Sequence, residues 1–249
     1  MAEISILVPT YNRRKFVQLF HRNLITQDYP HELLTVIIDD DGDVPLVNVG
    51  EMDSFIESLY PMKVKYMTSD KRKSIGEKRH NLIKHCETEI FCFLDDDDLY
   101  YQTYISSSYE KLKTIMKRGR GCVGCDKMLF CMTDLDYSVH AIDCGNNKVM
   151  IHEATIMATK KWYKSSCGFE KSSRGEGKQL FAGMDKNVAI TDIQDIMLCL
   201  QHSENTVDKI QFAREDNKLT IEISEDLKLI LDEIFKKASN KTGRFEPSV

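Results

Sequence analysis

The chain has 249 residues, a formal net charge of −5, 42% hydrophobic and 29% charged residues, which suits one large α/β domain or one domain with an appendage. No long basic tract exists, so sequence-independent nucleic-acid binding is not expected. No stretch reaches the roughly 18–20 apolar residues of a membrane span, and Met1 to Ser5 lacks the basic and apolar regions of a signal peptide, so a cytoplasmic location is expected.

Ile4 to Val8, stopped by Pro9, reads as a first buried strand. Phe16, Leu19, Phe20 and Leu24 recur at helical spacing, and Asp28-Tyr29-Pro30 ends that helix. Leu33 to Ile38 is a second apolar run, closed by Asp39, Asp40, Asp41 and Gly42. A helix around Met52 to Leu59, a short strand Lys63 to Met67 and a helix Gly76 to Cys86 follow. Strand and helix thus alternate over residues 1–98, which predicts a parallel sheet covered on both faces. With regular right-handed crossovers, the polar strand ends share one edge of that sheet. Beyond it, Tyr104 to Lys117 is expected to be a helix with Gly119 at its C-cap, and short strands to fill Gly121 to Ile142 before a turn at 143–147. Ser172 to Lys178 is loop-like, Ile196 to Leu200 a strand, and Asp226 to Lys237 an amphipathic helix. The eight cysteines are scattered. Cys122 and Cys125 form a lone C-x-x-C without the second pair a zinc site needs, so reduced structural thiols are expected; the sequon at Asn240 means little without secretion.

Ile90-Phe91-Cys92-Phe93-Leu94 reads as a strand buried on both faces, and it runs straight into Asp95, Asp96, Asp97 and Asp98. Adjacent carboxylates repel, so the cluster needs a cation or hydrogen-bond donors. In extended chain Asp95 and Asp97 point the same way, roughly 6.5 to 7 Å apart at Cα. That spacing suits one hard divalent cation, Mg²⁺ or Mn²⁺. The competing reading is a solvated acidic loop with Asp98 as a helix N-cap.

Four pieces line up in chain order: Val8-Pro9-Thr10-Tyr11-Asn12-Arg13, Ile37-Ile38-Asp39-Asp40-Asp41-Gly42, Ile75-Gly76-Glu77-Lys78-Arg79-His80-Asn81 and Phe93-Leu94-Asp95-Asp96-Asp97-Asp98. Over residues 3–205 this order resembles the GT-A glycosyltransferases, and among them the family 2-like enzymes. The resemblance implies a Rossmann-like, mostly parallel sheet with helices on both faces and a small antiparallel part in the second half. It divides the chain into a GT-A domain at 1–205, with a nucleotide-sugar half at 1–100 and an acceptor-side half at 101–205, and a helical extension at 206–249 packed on it. It further implies a nucleotide-diphospho-sugar donor (a UDP-sugar first), Mn²⁺ or Mg²⁺, and a glycan, glycoprotein or glycolipid acceptor.

By that resemblance Pro9, Thr10, Tyr11, Asn12 and Arg13 would line the nucleotide pocket. The acid that reads the base is Asp39 or Asp40, depending on whether the strand end or Gly42 anchors the alignment. Lys78 and Arg79, near a helix N-terminus, would face the diphosphate. Asp97 is the firmest metal ligand, Asp95 or Asp96 touches ribose or completes the coordination, and His202 is a further metal or diphosphate contact. An inverting transfer also needs a base, and Glu176 in Gly175-Glu176-Gly177 fills that slot. Many relatives carry a Glu-Asp pair there, whereas this chain has a single acid; Glu170 and Asp185 are the fallbacks. Trp162 is either an acceptor platform or a core residue. Two other classes compete: a haloacid-dehalogenase-like phosphatase, whose nucleophile motif Asp39-x-Asp41-Gly42 imitates, and a non-catalytic sugar-nucleotide-binding module.

Overall fold

Strands of three to seven residues, most of them apolar runs, form a seven-stranded sheet. The structure is a computed structural model that describes residues 1–143, 151–183, 188–203, 205, 213–221 and 223–239. In chain order the elements are β1 (Ile4–Thr10), α1 (Val17–Ile25), β2 (Leu34–Asp40), α2 (Met52–Ser58), β3 (Lys63–Thr68), α3 (Ile75–His85), β4 (Ile90–Phe93), β5 (Leu99–Tyr100) and α4 (Tyr104–Met116). Then come β6 (Cys122–Gly124), β7 (Lys127–Met132), β8 (Ser138–Asp143), β9 (Met157–Thr159), α5 (Lys160–Ser165), α6 (Gly177–Leu180), β10 (Val188–Ile190), β11 (Met197–Gln201), β12 (Lys218–Leu219) and α7 (Glu225–Ser239).

The large sheet has the order β10-β6-β9-β4-β1-β2-β3, and only β9 runs against its neighbours. Its pleat sends alternate residues to opposite faces. Ile6, Val8, Val36, Ile38 and Cys92 meet α1, α2 and α4 on one face; Leu7, Ile37, Phe91 and Phe93 meet α3, α5 and α6 on the other. Helices therefore cover both faces, as expected. The second half adds a five-stranded sheet, β12-β8-β7-β11-β5, of mainly antiparallel pairs. The turn from β4 into β5 crosses from one sheet to the other, and the four aspartates sit in that crossing.

One strand end departs from the sequence reading, and two open alternatives are decided by the structure. β2 continues to Asp40 instead of ending at Ile38, because β1 and β3 still offer ladder partners at Pro9, Thr10, Met67 and Thr68. Asp98 is no helix cap: α4 starts six residues later, and Asp98 Oδ1 accepts the Leu200 N–H at 2.8 Å, tying the acidic turn to β11. Trp162 is buried against Phe181 and under Gly121, so it is a core residue rather than an acceptor platform. Gly119 ends α4 at φ 76°. Cys86, Cys92, Cys122, Cys125, Cys131 and Cys199 are buried free thiols. The turn residues 144–147, Asp185 and the sequon at Asn240 lie outside the described residues.

Candidate active site

Because β1, β2 and β4 are parallel neighbours, their carboxyl ends meet at one edge, where open α/β sheets place ligands. Thr10 lies opposite Asp40 in register. Past β1 the chain turns through Asn12, a non-glycine residue at φ 55°, whose Oδ1 accepts the Val44 N–H at 3.0 Å. This draws the loop after β1 against the loop after β2. Tyr11 offers its ring to two cations, with the Arg72 guanidinium 4.1 Å and the Lys78 ammonium 5.4 Å from the centroid. Pro9 is the last partly covered position of β1 before that turn.

The pleat separates the acids of β2. Asp40 follows Ile38 onto the α1 face, where its carboxylate accepts the N–H groups of Gly42 (3.0 Å) and Leu46 (2.8 Å) and the Tyr66 hydroxyl (2.5 Å). Those three donors commit Asp40 to shaping its own loop. Asp39 follows Ile37 onto the α3 face and is fully buried. It accepts from Lys73 Nζ at 2.6 Å and from Asn81 Nδ2 at 2.8 Å. Asp41 pairs with Lys78 Nζ and accepts the Lys73 N–H at 2.5 Å.

Helix α3 starts where it does because Ser74 and Glu77 form a capping box. Its first turn is crossed by the chain near Glu170: a Cβ on Gly76 would lie 1.8 Å from the Glu170 carbonyl oxygen, so only glycine lets that segment close over the helix. Lys78, in the next turn, donates to the Thr10 carbonyl. Arg79 is 4% exposed and lies over the Phe93 ring at 4.6 Å. It donates through Nη2 to both oxygens of Asp95 at 3.2 Å and through Nε to Glu176 Oε1 at 3.3 Å. One guanidinium thus joins the acidic turn to the acceptor-side loop.

Asp97 takes other partners. Its Oδ2 lies 3.0 Å from Arg13 Nη2 and 3.4 Å from His202 Nε2. His202 is buried between the rings of Phe16 (5.0 Å) and Phe235 on α7 (5.4 Å), and its N–H donates to Asn205 Oδ1. Asp96 is buried with Arg13 Nε 3.8 Å from Oδ1, while its Oδ2 has no hydrogen-bond partner. The structure therefore gathers Arg13, Lys78, Arg79, Asp39, Asp95, Asp96, Asp97, Glu176 and His202 at one edge and turns Asp40 away. Asp95 and Asp97 lean on different cations; among the described residues no three His, Cys, Asp or Glu side chains are grouped to hold a metal. Lys73 and Glu153 were not singled out from sequence, and Asp41 was named only within the acidic run after the second strand and the phosphatase-like motif. Only an unmatched acid or base on a neighbouring motif could have signalled them.

Negative charge is in excess here. Burial, and then Asp97, push the Asp96 carboxyl well above its ordinary range, with Arg13 opposing. Burial also raises Asp95 against the pull of Arg79, and burial with Glu176 raises Glu153. A carboxyl raised in the folded state supplies stability that is full below its ordinary value of 3.8 and lost as pH rises through the raised value. Asp96→Asn should therefore make the protein more stable at neutral pH and reduce the fall of its stability as pH rises above 3.8. Urea unfolding at several pH values checks this, and an Asn variant less stable at pH 7 would refute the assignment.

The family model for glycosyl transferase family 2 matches residues 5–122. The processive diacylglycerol beta-glycosyltransferase of Mycoplasma pneumoniae is 27% identical over 95 residues, which are 38% of this chain and 27% of the relative. Among solved structures, S. aureus TarS superposes with a TM-score of 0.59 at 16% identity, over 80% of this chain and 37% of TarS. The mannosyltransferase PcManGT of Pyrobaculum calidifontis, solved with GDP-Man and Mn2+, gives 0.58 at 16% identity over 98% and 66%. The fold is GT-A, that of TarS and PcManGT. This chain spans about a quarter of the Mycoplasma relative and little over a third of TarS. The parallel order of β2, β1 and β4 accounts for why the acids after β2 and after β4 share one edge.

Proposed function

We propose that this protein is an inverting glycosyltransferase that moves a sugar from a nucleotide-diphospho-sugar, a UDP-sugar first, to an acceptor hydroxyl. The observation that carries the reading is the Asp97–His202 pair beside Arg13, facing the cationic turn of α3 that holds Lys78 and Arg79. The base would sit between Tyr11, whose ring carries Arg72, and the buried Asp39. Structures of the same fold are known in complex with such ligands: TarS with UDP and with UDP-GlcNAc, PcManGT with GDP-Man and Mn2+.

The donor set fits Mn²⁺ or Mg²⁺. Seven carboxyls (Asp39, Asp41, Asp95, Asp96, Asp97, Glu153, Glu176) stand with five cations (Arg13, Arg72, Lys73, Lys78, Arg79), and one oxygen of Asp96 is buried without a hydrogen-bond partner. Such ions need only one or two protein ligands beside substrate phosphates, and Asp97 and His202 would supply them. When bound, the ion neutralises charge on the leaving diphosphate. Lys78 and Arg13 hold the phosphates, Asp39 accepts from the base, and an acid on the acceptor side takes the hydroxyl proton. The acceptor is a glycan, glycoprotein or glycolipid; the diacylglycerol in the Mycoplasma relative's name favours testing a lipid first. No described helix is long and apolar enough to cross a membrane.

The test is nucleotide release from UDP-GlcNAc, UDP-glucose and GDP-mannose with Mn²⁺, alongside the melting shift each produces. Release from one of them is expected. A melting shift without release from any would point to the non-catalytic binding module, and neither signal would end the reading.

A further inference from the structure

Gly177 follows Glu176, where the resemblance to the family 2-like enzymes implies a second acid. That position is not vacant in space. The Gly177 N–H donates to Glu153 Oε1 at 3.1 Å. A Cβ built on Gly177 would lie 2.4 Å from that oxygen, 2.7 Å from Glu153 Cγ and 2.9 Å from Cδ. The carboxyl of Glu153 thus fills the volume that a side chain at 177 would enter, and glycine at 177 is what admits it.

Glu153 reaches this place from the single 3-10 turn Glu153–Thr155 that leads into β9. That turn is fixed to the acidic crossing: the Tyr100 hydroxyl donates to the Ala154 carbonyl at 3.1 Å and accepts the Asp95 N–H at 2.9 Å. Thr155 and the β9 ladder hold the turn, with the Thr155 hydroxyl accepting the Cys125 N–H at 2.8 Å. Glu176, by contrast, already accepts from Arg79. Two acceptor-side carboxyls therefore have different duties open to them: one orients the guanidinium that also grips Asp95, and the other has no cation within ion-pair distance among the described contacts.

We propose that Glu153 is the general base of the transfer, standing in space for the acid absent at 177, and that Glu176 is a positioning residue for Arg79. This rests on the glycosyltransferase reading. In the step, the acceptor oxygen forms a bond to the anomeric carbon as the bond from that carbon to the diphosphate oxygen breaks. The electron pair leaves with the diphosphate, and the acceptor's proton passes to the Glu153 carboxylate. With water as acceptor the same step is donor hydrolysis, so no acceptor need be identified.

The experiment compares wild type with Glu153→Gln, which keeps an acceptor for the Gly177 N–H but cannot take the proton. Nucleotide release from the donor that wild type hydrolyses, with Mn²⁺, should fall about 10²-fold or more in kcat with KM little changed. The donor-induced melting shift should stay that of wild type, and the melting temperature should not fall, since Gln removes a carboxyl that burial and Glu176 disfavour. The relocation variant Glu153→Ala/Gly177→Asp should recover most of the lost rate, because its new carboxyl enters the volume just emptied. Release by Glu153→Gln at the wild-type rate overturns the proposal, as does a parallel loss of donor binding. If Glu153→Gln does not fold, the relocation variant decides: active supports the proposal, folded but inactive overturns it. Absence of release by wild type with every donor removes the glycosyltransferase reading, and this assignment falls with it.

Discussion

Arg79→Met is expected to lower the folding free energy by about 3–5 kcal/mol and to abolish nucleotide release. Methionine has the length to fill the space over the Phe93 ring, so the loss is one of charge rather than of packing. What remains is Asp95, Glu176 and Glu153 facing one another with the guanidinium gone. Their repulsion and their buried setting account for the magnitude. The effect should be strongly non-additive: in a background of Glu176→Gln the same change should cost distinctly less, since one orphaned charge has already been removed. Arg79→Lys should fall between, keeping a cation but losing the fork that reaches Asp95 and Glu176 together. Urea unfolding at pH 7 reads all three variants. A loss below about 1 kcal/mol for Arg79→Met would place this cluster among solvent-screened pairs and dissolve its role as the joint between the two halves of the site.

How much of this was legible in the sequence follows from where each residue's chemistry is decided. The strands and the shared edge were readable because apolar runs ending in acids are a local signal, and a parallel sheet aligns such ends without further information. The choice between Asp39 and Asp40 was not readable. It depends on pleat parity at the end of β2, and that strand runs on to Asp40 because its neighbours do. Asp98 looked like a helix cap because the β4–β5 turn leaves the first sheet for the second, a step no local pattern announces. Trp162 offered an aromatic surface by type, but whether an indole faces solvent or core is settled by what packs on it, here Phe181 and Gly121. Glu153 had no motif at all. Its one sequence trace is indirect, an acid missing after Glu176, and only the fold says which distant residue fills the gap.

Asp97→Asn should leave the fold standing and strip the site of its metal response. Asn keeps the shape and a carbonyl oxygen for Arg13 and His202, and Asp97 is partly open to solvent, so melting in the absence of metal should move little. The Mn²⁺-dependent melting shift in the presence of UDP should disappear, because a neutral amide is a poor partner for a hard dication beside a diphosphate. Nucleotide release should fall about 10²- to 10³-fold, the scale of losing one preorganised charge contact in a transition state. His202 offers the control that separates ligand from scaffold. Its ring is clasped by Phe16 and by Phe235 of α7, so His202→Ala opens a cavity and should lower stability and metal response together. Asp97→Asn should lower only the second. If Asp97→Asn retained the full Mn²⁺ shift, the ion would have to be held elsewhere among the acids after β4, and the pairing of Asp97 with His202 would be structural.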